Sequence, residues 1–144
     1  MFVLVNVNRI LKGNSGNVWL NGKLLATLKT IKATVKGDFE SDNFIGDNAN
    51  YSIYNGWSGD GSLTLEKIDS ALWKICADAY KSGVMPDIKI ITALTDQSTG
   101  KAERASIENI TFTQFDLVNM EAKKIVSEDF SFTFSNYEVL EAIA

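Results

Sequence analysis

The amino-acid sequence predicts a mainly β fold with one α-helix, arranged as a β-sandwich or open barrel of about seven strands with the helix packed at one edge. Runs in which apolar and polar residues alternate recur along most of the chain. Gly- and Asn-containing turns separate these runs, and one segment alone has helical periodicity. A length of 144 residues is typical of one domain, so we expect residues 1–144 to form a single domain.

The first two strands are predicted to meet at Asn21 and Gly22, because both residue types accept the positive φ angles of a tight hairpin turn. In the next run every second residue is apolar, which predicts a strand with one buried face. The residues of that face are Ile31, Ala33, Val35 and Phe39. A later strand repeats the alternation, with Leu63 and Leu65 facing inward.

The predicted helix lies between Lys67 and Gly83. Asp69 or Ser70 can cap its first turn, and Gly83 can end it in a left-handed conformation. Helical spacing places five apolar residues on the face that would rest on the sheet: Ile68, Leu72, Ile75, Cys76 and Ala79. We interpret Cys76 as a small buried hydrophobe rather than a reactive thiol.

Strands are predicted again from Pro86 to the end of the chain. In the long β-rich run of residues 102–118, apolar residues alternate with polar ones, but the alternation shifts by one position between Phe112 and Phe115. This shift indicates a bulge. The last segment has the clearest half-buried pattern. Its three aromatic residues on one face are Phe130, Phe132 and Phe134.

The chain has no histidine and a single cysteine. It therefore lacks the usual general base, the commonest zinc ligand and any Ser–His or Cys–His pair, and it cannot form an intrachain disulfide. Glu128 and Asp129 are adjacent on a strand and point to opposite faces, so we interpret them as a solvated strand end. We expect no enzyme activity, and no catalytic, cofactor-binding or metal-binding residues.

The formal net charge is −4, and the basic residues are scattered singly along the chain. This pattern argues against specific nucleic-acid binding, which requires clustered Lys and Arg. No run approaches the roughly 20 apolar residues of a membrane span, so we expect no direct membrane anchor. The apolar start, MFVLVNVNR, lacks the basic leading region of a signal peptide.

Residues 38–60 form a long excursion between two strands, rich in Gly, Asn and Asp and also in aromatic rings. Rings in such a segment need a partner, and three readings remain open at this point. The rings can fold back over the domain's own sheet, form an interaction surface, or bind a ligand such as a carbohydrate.

The order of features resembles the tail tube (tail core) proteins of contractile phages, of PBSX-like defective prophages and of phage-tail-like bacteriocins. The resemblance runs from about Gly13 to Ile143 and departs from the family at Phe2–Val7. It rests on four segments in order: GNVWLNGKLLATLKTIKATV, YNGWSGDGSLTLEKIDS, MPDIKIITALTDQSTGKAERASIENITF and FSFTFSNYEVLEAI.

The resemblance implies a homohexameric ring whose subunits each contribute strands to one continuous inner β-barrel. Rings would stack helically into a hollow tube inside a sheath, and the excursion at residues 38–60 would reach the neighbouring ring. The implied inter-ring interface consists of the apolar residues of that excursion: Phe39, Phe44, Ile45, Tyr51, Ile53, Tyr54 and Trp57.

A channel that passes cargo needs a wetted lining, so the polar strand faces become candidates for the lumen. The candidate lumen-facing residues are Lys32, Thr34, Lys36, Thr64, Glu66, Ser131 and Thr133. A ring of six chains has a formal charge of −24, six times −4, which would repel DNA to the extent that it faces inward.

The implied partners are further copies of the chain, the sheath protein, and the baseplate or tube-initiator and tape-measure proteins. The implied location is the bacterial cytoplasm during assembly and afterwards a released phage tail or tail-like particle. Two alternatives remain: a secretion-system tube protein whose rings carry effectors, and a monomeric β-sandwich that binds glycans through Tyr51, Tyr54 and Trp57.

Overall fold

Two antiparallel sheets make up most of the computed structural model, which describes residues 10–67 and 70–143. The five-stranded sheet has the order β2 (Lys23–Leu24), β1 (Gly16–Leu20), β5 (Ile90–Thr95), β6 (Ala102–Glu108) and β9 (Asn136–Glu141). The four-stranded sheet has the order β3 (Leu28–Asp42), β4 (Tyr51–Glu66), β8 (Ser127–Phe134) and β7 (Thr111–Phe115). A short 3-10 helix (Gly13–Ser15) precedes β1, and one α-helix, α1 (Ala71–Ser82), follows β4. The predicted fold class is confirmed.

The turn at Asn21 and Gly22 forms as predicted, with φ angles of 50° and 84°. It joins β1 to β2 in an antiparallel pair. Asn21 also ties the turn to the start of β5, because its side-chain Oδ1 accepts a hydrogen bond from the backbone N–H of Lys89 at 2.9 Å.

Helix α1 ends as the sequence predicts. Gly83 adopts a left-handed conformation (φ 74°), and its N–H donates to the carbonyl of Ala79 at 2.9 Å. At the other end Ser70 occupies the N-cap position without a side-chain capping bond, while Asp69 and Ile68 lie outside the described residues. No helix among the described residues is long and apolar enough to cross a membrane.

The buried face of α1 consists of Leu72, Cys76 and Ala79. The prediction that Ile75 also faces the core is wrong, because its side chain lies at the rim of the helix and is exposed. Tyr80 anchors the helix to the edge of the four-stranded sheet: its hydroxyl donates to the carbonyl of Phe112, and its ring stacks on Phe115 with centroids 5.4 Å apart.

The core lies between the two sheets and under α1. Leu63 and Leu65 face inward as predicted, and so do the three phenylalanines of β8. Phe130 and Phe132 are each only 1% exposed, and Phe112 packs edge-on against both at centroid distances of 5.7 and 6.0 Å. Aromatic packing therefore dominates the centre of the sandwich.

Nine strands are present among the described residues because two predicted runs change sheet. Between β6 and β7 the chain turns at Asn109, which has a left-handed φ of 52°, and enters the other sheet. Between β8 and β9 it crosses back at Ser135. The predicted bulge is confirmed, since the β7–β8 register shifts between Phe112 and Gln114.

The excursion at residues 38–60 is not an irregular loop. β3 and β4 remain paired from Leu28 and Leu65 to Asp42 and Tyr51, with two register shifts on the way. Gly59 and the nearby Gly61 lie beneath aromatic rings of β8. A Cβ on Gly59 or Gly61 would come within 3.0 Å of Phe134 or Phe132, respectively, so glycine lets these rings lie flat on β4.

β3 does not bury the face that its alternation predicted. Ile31 is partly buried, but Ala33 and Val35 are exposed, and so is Phe39 farther along the strand. The reason is that β3 is an edge strand, and the two sheets diverge beside it. They leave an open groove of about 1020 Å³, lined by Ile31, Ala33 and Val35 on one side and by residues of β1, β5 and β6 on the other.

Replacement of Gly61 by Ala is expected to lower the free energy of unfolding by about 1–3 kcal/mol, because the added methyl group meets both the Phe132 ring and the backbone carbonyl of Lys32. Urea denaturation followed by Trp fluorescence measures this change. Gly13→Ala is the matched control, since nothing lies within 4 Å of its Cβ position. Equal stability of the two variants would contradict the packing role of Gly61.

Candidate assembly surfaces

The outer half of the β3–β4 hairpin projects beyond the sandwich. β8 stops pairing with β4 at Gly59, opposite Phe134, and residues 36–58 continue as a two-stranded ribbon that we call the arm. Its β4 strand, Tyr51–Ser58, spans about 25 Å at the usual rise of about 3.3 Å per residue. The arm's backbone is hydrogen-bonded as a ladder, so its side chains are carried on an ordered support.

Six of the seven predicted interface residues are exposed on the arm: Phe39, Phe44, Ile45, Tyr51, Ile53 and Tyr54. The rings contact one another in edge-on pairs rather than folding back over the sheet. The Phe39–Tyr54 centroids are 5.6 Å apart, and the Phe44–Tyr51 centroids are 5.4 Å apart. These pairs leave each of the four residues between 42% and 59% exposed, as expected of a surface that awaits a partner.

A register shift between Asp38 and Phe39 determines which rings meet. Asp38 pairs with Gly56 and Phe39 pairs with Tyr54, so Asn55 is the extra residue of a bulge. Gly56 has a φ of 141°, a conformation open mainly to glycine. The bulge brings Tyr54 to the same side of the ribbon as Phe39.

Trp57 differs from the other six residues, because it has a partner within its own chain. Its ring is partly buried against the core and contacts Tyr137 of β9 at 5.1 Å and Phe134 of β8 at 6.1 Å between centroids. Trp57 therefore packs against the sheets of its own domain, which is the first of the three readings given above. It forms the base of the arm and joins it to both sheets.

The tip of the arm is held by a hydrogen bond from the Tyr51 hydroxyl to the Asp47 carboxylate. Asp47 also accepts the backbone N–H of Ala49 at 2.9 Å. These two bonds lower the pKa of Asp47, the tyrosine bond most, and the same interaction raises the pKa of Tyr51. The oxygen-rich segment 42–50 thus satisfies its own polar groups, as expected of a turn.

The seven candidate lumen residues share one surface. The registers of β3, β4 and β8 place them on the side of the four-stranded sheet opposite the core. Lys32 lies in line with Ser62 and Ser131, and Thr34 lies in line with Asp60 and Thr133. The same alternation places the remaining members of the set on this side: Lys36, Thr64 and Glu66.

Charges on this outer face nearly balance. Three basic residues, Lys29, Lys32 and Lys36, share it with four acidic residues, Asp38, Asp60, Glu66 and Asp129. Lys29 is paired with Glu66 at 3.0 Å, and the Thr64 hydroxyl donates to Asp129 at 2.5 Å. Most of the chain's net charge of −4 therefore lies elsewhere, and this face has little net charge with which to repel DNA.

One apolar surface was missed by sequence reasoning. The connection between β7 and β8, residues 116–126, which we call the base loop, exposes four large side chains: Leu117, Val118, Met120 and Ile125. The only available signal was a concentration of apolar residues without strand or helix periodicity. The free edges of β3 and β7 were also not foreseen.

The fold agrees with the comparison to known proteins. A sequence model of the family described as "Phage tail tube protein" matches residues 4–141. The chain belongs to the phage tail tube protein family. Its function is that of a tail tube structural subunit, and it forms part of a phage-type tail particle.

Among the relatives of this tail tube protein is XkdM, a protein of the phage-like element PBSX of Bacillus subtilis (strain 168). The two are 26% identical over 136 residues, which span 93% of this chain and 92% of XkdM. The fold recurs in the tube-terminating cap of the anti-feeding prophage, with a TM-score of 0.76 and 10% identity over 99% of this chain and 97% of that one. It also recurs in the extended sheath–tube complex of the PVC extracellular contractile injection system, with a TM-score of 0.72 and 11% identity over 94% and 95% of the two chains.

Tail tube proteins are structural proteins and are not enzymes. Within residues 10–67 and 70–143, no cluster of acidic or Cys side chains is arranged to hold a metal ion. The Asp96 carboxylate accepts hydrogen bonds from Ser98 and Thr99, so that segment is a turn. Cys76 is 2% exposed, and burial and the charge of Glu128 raise the pKa of its thiol to about 11.

Glu128 and Asp129 point to opposite faces as predicted, but Glu128 is not solvated. Its side chain is only 5% exposed and forms an ion pair with Lys67 at 3.2 Å, the sole partner that its Oε1 has among the described residues. Lys67 in turn lies over the Trp73 ring at 5.0 Å from the centroid. The pair joins β8 to the segment that leads into α1.

Replacement of Lys67 by Met is expected to lower the free energy of unfolding by about 3 kcal/mol, because it leaves the Glu128 carboxylate buried without a counter-charge. This value is at the low end for buried pairs, since the Lys67 side chain keeps 30% exposure. Thermal and urea unfolding measure the change.

The double variant Lys67→Met, Glu128→Leu is the control, because it removes both charges together. It is expected to recover most of the lost stability. A double variant as unstable as Lys67→Met alone would show that packing of the Lys67 stem, and not its charge, stabilises this corner.

Proposed function

We propose that this tail tube protein assembles into homohexameric rings through the free edges of its four-stranded sheet. Among the described residues β3 pairs only with β4, and β7 pairs only with β8, so the four-stranded sheet ends on either side in a strand with unpaired backbone groups. A long open edge is a template for pairing with another chain. Joining β7 of one copy to β3 of the next continues the sheet, and closure by rotation removes every open edge of the inner barrel.

The groove beside β3 supports the same arrangement. Ala33 and Val35 lie on the core side of β3 and are exposed only because the two sheets diverge there. A neighbouring copy that pairs with β3 also brings side chains over this opening. Its exposed apolar surface is then buried between copies, which favours association.

In the ring, the outer face of the four-stranded sheet lines the lumen. Hydroxyl and charged side chains cover that face, among them the seven residues from Lys32 to Thr133 defined above. Because positive and negative charges nearly balance on this face, the lining is hydrated and produces no strong electrostatic field. Cargo can therefore pass along the lumen without binding to it.

The arm joins successive rings. The observation that carries this proposal is that the arm presents six exposed apolar side chains on a hydrogen-bonded ribbon that extends beyond its own sandwich. A monomer gains nothing from this exposure, whereas a stacked copy can bury it. Rings stacked in this way form a hollow, helical tube.

The tube acts without catalysis, within a contractile tail or a phage-tail-like bacteriocin. Its outer surface contacts the sheath protein, a baseplate or initiator protein starts its growth, and a tape-measure protein occupies the lumen during assembly in the bacterial cytoplasm. The family match and the fold shared with contractile injection systems support this placement.

Negative-stain electron microscopy of the purified protein over a range of concentrations tests the assembly directly. Rings or tubes with a central channel are expected. Small uniform particles at every concentration, also in the presence of pre-formed tail baseplates, would contradict it.

Simultaneous replacement of Phe39 and Tyr54 by Ala is expected to abolish stacking of rings while changing the free energy of unfolding by less than about 0.5 kcal/mol, since both side chains are exposed. Sedimentation velocity measures stacking, and urea denaturation measures stability. Trp57→Ala is the contrasting variant. It is expected to destabilise the fold by about 3 kcal/mol, because it removes the ring that packs on Phe134 and Tyr137.

Thr133→Cys tests the lumen assignment. In assembled tubes the new thiol is expected to react with a small maleimide but not with a maleimide carried on a globular protein, which cannot enter the channel. Lys101→Cys, in an exposed turn of the five-stranded sheet, is the matched control and is expected to react with both. Rapid labelling of Thr133→Cys by the bulky reagent would place the face outside the tube.

A further inference from the structure

The arm and the base loop lie at opposite ends of the four-stranded sheet. β8 pairs with β4 from Ser127, opposite Glu66, to Phe134, opposite Gly59. The arm begins where β8 ends, and the base loop ends where β8 begins. Strand β4, whose outer half belongs to the arm, has 16 residues and therefore extends about 50 Å from near the tip of the arm to the end of the sheet that carries the base loop.

The base loop presents its apolar side chains from a fixed backbone. The Trp73 indole of α1 donates to the carbonyl of Leu117 at 3.0 Å, and the N–H of Lys67 donates to the carbonyl of Val126 at 2.9 Å. These bonds hold the two ends of the loop against the base of the sandwich. Its apolar side chains nevertheless point to solvent, with exposures between 61% for Leu117 and 76% for Ile125.

The two surfaces are complementary in chemistry. The arm carries aromatic rings, and the base loop carries Met120 with Leu117, Val118 and Ile125, aliphatic and thioether groups that pack well against rings. Beyond Lys36 the arm has four acidic side chains and no basic one: Asp38, Glu40, Asp42 and Asp47.

Basic groups stand on the receiving side. Lys123 has no ion-pair partner among the described residues, and Lys124 is paired only with Glu121, at 3.2 Å, with both side chains 67% exposed. Such an exposed pair is weak and exchanges partners readily. Asp116 and Glu121 also lie in this loop, so its net charge is zero, and it repels the acidic arm less than an acidic surface would.

Because the two surfaces differ and lie at opposite ends, they cannot satisfy each other within one copy. Contact between them in two copies is heterologous, and it repeats along the strand direction without closing, which produces a filament. We propose that the base loop, through Leu117 and Met120 and flanked by Lys123, is the surface on which the arm of a copy in the adjacent ring docks. This inference rests on the proposed function and specifies which surface receives the arm.

Cross-linking between variants that each carry one added cysteine tests the contact. Ile45→Cys at the arm tip and Met120→Cys on the base loop are purified separately, mixed, assembled and treated with a short bis-maleimide. The native Cys76 is buried with a raised pKa, so it does not interfere. A cross-linked dimer is expected from this mixture. Val139→Cys on β9, which has similar exposure, is the control and is expected to give none with Ile45→Cys.

The double variant Leu117→Ser, Met120→Ser provides a second measurement. It is expected to form rings but to raise the protein concentration at which tubes appear by about tenfold or more. Asn119→Ser on the same loop is the matched control, because it changes a polar side chain that lies between Leu117 and Met120 in the sequence.

The outcomes separate the two proposals. Tubes of normal length at normal concentration from the double variant, or cross-linking of Ile45→Cys to Val139→Cys instead of Met120→Cys, overturn the base loop as receptor and leave the tube intact. The base loop would then be available to a different protein, such as the sheath. If the unmodified protein never assembles, the proposed function is overturned. The proposed contact between the arm and the base loop is then overturned as well.

Discussion

The hydrogen-bonded ladder between β3 and β4 runs from the sandwich core to the tip of the arm, and its surroundings change half-way along. Near Leu63 and Ile31 the ladder is covered on one side by the second sheet and by the rings of β8. Beyond Gly59 no third strand pairs with it, and the same ladder carries exposed rings. Core, edge, proposed lumen face and arm are therefore parts of one continuous ribbon, and a change in its register would move all of them together.

Sequence patterns predicted those elements whose partners lie in the same chain. The turn at Asn21, the left-handed end of α1 at Gly83 and the inward phenylalanines of β8 all follow from local chemistry and alternation. Patterns were less informative on β3. The alternation on β3 is real, but Val35 remains 45% exposed because the two sheets diverge beside this strand.

Two further departures have local causes. Gly59 and Gly61 were not predicted to pack against rings, yet they lie beneath the aromatic rings of Phe134 and Phe132. This packing can be predicted only when the neighbouring strand is known. Trp57 was grouped with the arm because it is close in sequence, but its ring reaches β9, which is 80 residues away along the chain at Tyr137. The candidate lumen residues were identifiable as one set, because the strand period of two places them on one face irrespective of the tertiary fold.

The register shift at Gly56 and Asn55 has a consequence for the geometry of a tube. Two-stranded ribbons twist more strongly than strands within a sheet, and a bulge increases that right-handed twist locally. The outer part of the arm is therefore expected to be rotated relative to the strands at its base. In the proposed stack of rings, this rotation would contribute to the angular offset between one ring and the next, and it would originate in the backbone of a single hairpin, at a glycine.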